Sequence, residues 1–180
     1  MKYISILRGI NVSGQKKIIM KDLVLLYLNL GFSHVVTYIQ SGNVIFETPE
    51  KDQSKLMTLI CESIKTKYNF DIPIIIRKQR ELQKIMHNLP FSEIAKDEME
   101  TKVLVTFLSG KPSQANTDAL LKFAKPPEQM IIRGKEVYLY CPNGYGKTKL
   151  SNNFIEKKLN VDGTTRNWKS ITKLNELLLE

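Results

Sequence analysis

The sequence predicts an α+β protein built as two ferredoxin-like (α/β-plait, βαββαβ) units followed by a C-terminal helix. Three observations carry this. Residues 1–80 alternate period-2 apolar runs with helical spacings in the order strand, helix, strand, strand, helix, strand. Residues 101–180 repeat that order with one extra helix, although no repeat is visible in the residues themselves. The 180 residues are 42% apolar, enough for one packed domain or two small ones. The expected division is 1–80 for the first plait, 81–100 for a connecting helix and linker, and 101–180 for the second plait with its closing helix.

Tyr3 to Leu7 is a β-run ended by Arg8-Gly9, and Gly9 to Lys17 is a polar loop. Leu23, Leu26, Tyr27 and Leu30 recur at helical spacing, with Gly31 as the C-terminal stop. Val35–Ile39 and Val44–Phe46 read as strands, joined by a tight hairpin at Gln40-Ser41-Gly42-Asn43 in which glycine and asparagine supply the positive φ. Leu56, Leu59, Ile60, Ile64 and Tyr68 mark the second helix. Ile72–Ile76 is the fourth strand, and its Pro73 places it at a sheet edge.

A helix near Glu81–Asn88 and an acidic connection from Ser92 to Glu100 lead to the second unit. Val103–Leu108 is a strand, Ala119–Phe123 belongs to a helix, and Met130–Ile132 and Val137–Tyr140 form a hairpin around Arg133-Gly134-Lys135. Leu150, Phe154, Ile155 and Leu159 line the next helix, Val161–Arg166 reads as a short last strand, and Asn167 caps a closing helix whose Trp168, Ile171, Leu174 and Leu178 face inward.

The formal net charge of +9, from 27 Lys+Arg against 18 Asp+Glu, invites an acidic partner, nucleic acid first. The excess is spread over Lys2–Lys21, Lys65–Lys84 and Arg133–Lys173 rather than gathered in a tail. No apolar run approaches the roughly 18 residues of a membrane span, and Met1–Arg8 does not read as a signal peptide. A cytoplasmic protein without a membrane partner is therefore expected. Cys61 and Cys141 stand alone, so no disulfide framework is expected.

Cys141-Pro142-Asn143-Gly144-Tyr145-Gly146-Lys147-Thr148-Lys149 reads as strand, glycine loop and helix start. It misses the phosphate-loop pattern at its first position, where Cys141 stands for glycine, and no apolar strand ending in aspartate follows to hold magnesium. A glycine turn into a helix, with a modest anion site at its N-terminus, is the better reading. The hairpin Ser41–Thr48 shares only a glycine and an aliphatic centre with the RNA-recognition signature. His34 and His87 lack ligand spacing, so no metal and no cofactor is expected. The same two histidines lack the context for a Ser-His-Asp or Cys-His set, and Asp97, Glu98 and Glu100 read as a solvated linker. Catalytic residues are not assignable, and enzymatic activity stays an open question.

Plait topology puts Arg8, Gly9 and Asn11 at the same sheet end as Gln40–Asn43, and Gly144–Lys149 beside Thr164, Thr165 and Arg166. Ends of this kind would build one polar cleft if the two halves faced each other. Lys149, Asn152 and Glu156 share one helix face, with Glu156 solvated, and Trp168 reads first as core.

Leu7-Arg8-Gly9-Ile10-Asn11-Val12, then Tyr38-Ile39-Gln40-Ser41-Gly42-Asn43-Val44, then Gly144-Tyr145-Gly146-Lys147 with Thr164-Thr165-Arg166-Asn167-Trp168, together resemble the bacterial domain-of-unknown-function family numbered 1697. The resemblance implies two α/β-plait domains and a binding role for the polar loops, without an activity. It marks Arg8, Asn11, Gln40, Ser41, Asn43, Tyr145, Lys149, Thr165, Arg166, Asn167 and Trp168 as candidate ligand-binding residues. A second glycine is usual in that family where this chain has Ser13, which implies a less tightly turned first loop.

The leading expectation is an anion-binding module for nucleic acid or a phosphate-bearing small molecule. Arg8, Lys149 and Arg166 would meet the charge. Asn11, Gln40 and Asn43 would position the ligand, and Tyr145 would stack on a base. The rivals are an enzyme acting on a phosphorylated or nucleotide substrate in the same cleft, and an interaction scaffold whose loops only hold the domains together.

Overall fold

In the computed structural model, which describes residues 1–91 and 93–180, the chain forms two four-stranded antiparallel sheets with helices. The first unit runs β1 (Lys2–Leu7), α1 (Met20–Asn29), β2 (Ser33–Tyr38), β3 (Asn43–Glu47), α2 (Gln53–Tyr68) and β4 (Ile74–Lys78). Next come α3 (Gln79–His87) and α4 (Lys96–Lys102). The second unit continues with β5 (Val103–Leu108), α5 (Gln114–Leu121), β6 (Gln129–Arg133), β7 (Glu136–Tyr140), a 3₁₀ turn at Tyr145–Lys147, α6 (Asn152–Leu159), β8 (Gly163–Asn167) and α7 (Trp168–Leu179). Strand order is β2-β3-β1-β4 in one sheet and β6-β7-β5-β8 in the other, the order expected for a βαββαβ unit. Among the described residues no helix is long and apolar enough to cross a membrane.

The compact units are Met1–Gln83 with Leu174–Glu180, and Lys84–Lys173. These bounds differ from those expected from the sequence, because α3 and α7 are each continuous helices that begin directly after the last strand of a unit. The end of α7 belongs to the first unit, where the Gln79 side-chain amide donates to the Leu178 carbonyl at 2.9 Å.

Both faces of the central strand of each sheet are buried. In the first unit Tyr3 and Leu7 of β1 and Val44 and Phe46 of β3 point to the helices, where they meet Leu23, Tyr27, Leu56 and Ile60. Tyr3, Phe46, Phe32 and Tyr27 form one ring cluster, with the closest centroids 4.6 Å apart, the offset and edge-on contacts that aromatic quadrupoles favour. Ser5, in the same face, shares a 2.6 Å hydrogen bond with the Tyr27 hydroxyl. The alternate residues Ile4, Ile6, Ile45, Ile75 and Arg77 are buried on the opposite face. In the second unit Leu104 and Leu108 meet Leu120, Ile155 and Leu159, while Val103, Val105 and Phe107 are buried on the far side.

Several expected details change. The segment from Ser92 to Glu100 is not a plain linker: Asp97 and Glu98 form the first turn of α4, where acidic side chains suit the helix dipole. Ser92 itself lies outside the described residues. The last strand starts at Gly163 rather than Val161. Asn167 does cap α7, its side-chain oxygen accepting from the Ser170 N–H at 3.0 Å. β4 is an edge strand, with Pro73 just outside it.

The hairpin between β2 and β3 also differs from expectation. Positive φ falls on Ile39 (52°) and Gly42 (81°), not on Asn43. Asn43 is already the first residue of β3, and its fully buried amide donates to the Tyr38 carbonyl at 3.0 Å. A Cβ on Gly42 would sit 2.7 Å from the Ile10 side chain and 2.8 Å from Leu7 Cβ. Gly42→Ala adds overpacking to left-handed strain, and is expected to lower unfolding free energy by about 2–4 kcal/mol. A urea titration of both proteins checks it: an unchanged midpoint contradicts the packing described.

Candidate functional site

The loop end of the first unit is organised by the exit of β1. Because β1 is central, its last residue is held from both sides. The Leu7 N–H donates to the Gly42 carbonyl at 2.8 Å and the Arg8 N–H to the Pro73 carbonyl at 3.0 Å. Asn11 then clasps three segments: its amide donates to the Ile18 carbonyl at 3.0 Å and the Gln40 carbonyl at 2.9 Å, and its oxygen accepts the Ile18 N–H at 2.9 Å. The topological expectation that Arg8–Asn11 lies beside the hairpin therefore describes the structure.

This end collects unusual backbone. Asn11 (φ 55°), Ser13 (49°), Lys16 (45°) and Ile39 (52°) are left-handed without being glycine, and for a β-branched residue such as Ile39 that is a real strain. Ser13 adopts the conformation a glycine would take, and the Gln15 N–H closes back on the Val12 carbonyl at 2.9 Å. The first loop is thus tightly turned despite the serine, contrary to expectation. Strain of this kind persists where surrounding structure enforces it, and it gathers at ligand sites.

Beside that loop lies a cavity of about 550 Å³ lined by Arg8, Lys16, Cys61, Glu62, Lys65, Asp71, Ile72 and Pro73. The exit of β1 supplies Arg8, the strained loop supplies Lys16, α2 supplies Cys61, Glu62 and Lys65, and the entry to β4 supplies Asp71–Pro73. Lys65 pairs with the Asp71 carboxylate at 2.9 Å, and Lys16 donates to the Asp71 carbonyl at 2.7 Å. Cys61 donates to the Ile72 carbonyl at 3.5 Å. Burial, and after it the nearby Asp71 and Glu62 carboxylates, push its thiol above the usual range, which disfavours the thiolate. Three cations over an apolar floor can receive an anion by charge-assisted hydrogen bonds.

The second unit treats its polar residues differently. The Tyr145 hydroxyl donates to Thr165 Oγ1 at 3.3 Å, and that hydroxyl shares a 2.8 Å bond with Thr106 and donates to Asn152 Oδ1 at 2.9 Å. The Asn152 amide donates to the Gly163 carbonyl at 3.0 Å, and Glu156 accepts the Gly163 N–H at 2.7 Å. Glu156 is therefore half-buried and bonded to the last strand, not solvated. Burial pushes the Tyr145 hydroxyl up, against the bond to Thr165. This is an internal network that ties the glycine loop to the sheet.

Other expected groupings do not survive. The glycine loop does not open a helix: after the 3₁₀ turn, Thr148 is extended and α6 begins only at Asn152, capped by Ser151. Lys147 and Lys149 are exposed residues before that helix, so they do not sit on an open helix N-terminus. Successive strand residues point to opposite faces, so Thr165 turns to the Tyr145 network and Arg166 turns away. Arg166 is only 9% exposed and donates to Thr164 Oγ1 and the Thr165 carbonyl, both at 2.9 Å. Burial lowers its pKa to about 10, which leaves it charged at neutral pH. Trp168 is buried at 8%.

In the first unit, the Asn11 and Asn43 amides hold their own loops, with Ser41 accepting from Asn43 at 3.2 Å. Gln40 is exposed and contributes its carbonyl to Asn11. Arg8 is the one expected site residue on the cavity wall. Lys16, Glu62, Lys65 and Asp71 were not singled out from the sequence, although the cationic excess of 2–21 and 65–84 contains both lysines. What was missing was the fold that brings those two stretches together. The clasp role of Asn11 predicts that Asn11→Asp, which removes both donors, costs about 1–3 kcal/mol of stability. Thermal or urea unfolding measures it, and a wild-type value would mean that the amide does not hold the loop.

A family model described as "Protein of unknown function (DUF1697)" matches residues 1–138. The Leu7–Val12 and Tyr38–Val44 segments fall inside that match, while Gly144–Lys147 and Thr164–Trp168 lie beyond it. Among solved structures, the conserved bacterial protein SP0830 from Streptococcus pneumoniae is similar at a TM-score of 0.77 and 21% identity, covering 98% of each chain. That similarity is one of fold. No curated protein matches the chain. The chain belongs to the DUF1697 family of proteins of unknown function.

Proposed function

For this member of a family without an assigned activity, we propose an anion-binding module that receives a small phosphate-bearing molecule in the cavity of its first unit. The observation that carries this is the placing of Arg8, Lys16 and Lys65 around one cavity of about 550 Å³. That volume falls in the range of small-molecule sites, roughly 300–1,000 Å³. Arg8 suits two phosphate oxygens through its planar fork, whereas the lysines act as point charges. The left-handed backbone at Asn11, Ser13 and Lys16 supports a loop shaped for a ligand, and the Asn11 clasp keeps that shape before the ligand arrives. No covalent step is needed for this role. An enzyme acting on a phosphorylated substrate would use the same residues for positioning.

The net charge of +9 favours a second reading, nucleic acid, whose affinity would fall steeply with salt. Calorimetric titration with inorganic phosphate at low salt separates them. Arg8→Ala is expected to weaken phosphate binding about tenfold or more, since a charge-assisted bond contributes roughly 1.5–3 kcal/mol. Phosphate binding that ignores Arg8→Ala overturns the reading. Salt-sensitive oligonucleotide binding without phosphate binding replaces it with the nucleic-acid one.

Arg166→Ala supplies the control. Its side chain is buried and does not line the cavity, so its loss is expected to lower stability by about 1–3 kcal/mol and to leave phosphate affinity unchanged. A loss of phosphate affinity with stability intact would return Arg166 to the site.

A further inference from the structure

The cavity is not lined by one sign of charge. Besides its three cations it carries two carboxylates, Glu62 and Asp71. Asp71 is satisfied, its side chain by Lys65 at 2.9 Å and its carbonyl by Lys16 at 2.7 Å. The Glu62 carboxylate is exposed and makes no hydrogen bond or ion pair among the described residues. It stands on α2 beside Cys61, one turn before Lys65, whose ammonium is held by the Asp71 carboxylate. A plain anion drawn to Arg8 and Lys16 would therefore meet an uncompensated negative charge, and like charges brought together in a partly enclosed site discriminate against a ligand.

Resting on the reading of this cavity as an anion site, we propose that its ligand is zwitterionic: a compact phosphate monoester that also carries an ammonium group. The phosphate meets Arg8 and Lys16, and the ammonium meets Glu62. A positive group on the ligand turns the repulsion from Glu62 into attraction. A polynucleotide offers only repeated negative charge to the same wall. Its phosphates would face Glu62 and Asp71 as well as the cations, so it fits the lining less well.

The test compares O-phosphoethanolamine with ethyl phosphate, which has the same phosphate and a similar length but no ammonium, by calorimetry on the full chain at neutral pH and low salt. Phosphoethanolamine is expected to bind about tenfold tighter. Glu62→Gln keeps the helix propensity and the size of the side chain. It is expected to weaken phosphoethanolamine and to strengthen ethyl phosphate, bringing their ratio near one. A general folding defect would weaken both, so the opposite signs identify the contact. Equal affinities in the wild type, or a ratio that Glu62→Gln leaves unchanged, overturn the zwitterion while leaving an anion site in place. Failure of both compounds to bind, or binding of both that ignores Arg8→Ala, overturns the anion site and this inference together. An oligonucleotide that displaces phosphoethanolamine and binds tighter also overturns it.

Discussion

The central strand of each sheet is the constraint on which the rest depends. β1 lies between β3 and β4, and β5 between β7 and β8, with antiparallel pairing on both sides. A central strand has no free backbone edge, and here it has no solvated face either. All six residues of β5 are buried, as are five of six in β1. The chain leaving such a strand emerges at one fixed place, between the β2–β3 hairpin and the entry to the last strand. In the first unit the residue at that place is Arg8, which is how a backbone constraint becomes a charged cavity wall.

The two units answer the same constraint with different side chains. Ser5 and Thr106 occupy the same position in their strands, each a hydroxyl turned toward helices and each paired with another hydroxyl. Arg77 and Arg166 also correspond, opposite Ile4 and Val105, and each donates to the carbonyl of the residue before it. A buried arginine is thus a repeated scaffold feature, which argues against reading Arg166 as a ligand contact. The units part company at the helix that leads to the last strand. Lys65 lies four residues before the left-handed cap of α2, and Glu156 four before that of α6. Lys65 reaches across a cavity to Asp71, while Glu156 accepts the N–H of Gly163 in its own sheet. One unit keeps a charged recess and the other spends its polar residues on holding itself together.

Polar residues in glycine-bearing loops attract functional readings, and several of those named from this sequence hold hydrogen bonds within the fold. Asn11, Asn43 and Thr165 were legible as special because they are polar where the chain turns or ends a strand. Nothing in their identity says whether the amide or hydroxyl faces a ligand or a neighbouring carbonyl. That depends on distances of about 3 Å between segments far apart in the chain, such as the bonds from Asn11 to Gln40 and from Tyr145 to Thr165.

What the sequence determined by itself was the ladder of elements. Period-2 and helical spacings placed nearly every strand and helix, because each is a local response to which side chains must be buried. It also determined Asn167 as a cap and Pro73 as an edge marker, both consequences of chemistry within a few residues. Only the tertiary structure decided which polar groups meet. Strand alternation sent Thr165 and Arg166 to opposite faces. The pairing of β1 with β4 brought Lys16 and Asp71, 55 residues apart, to one recess with Lys65. Long-range pairing sets such meetings, and a one-residue difference in register would reverse every side chain concerned.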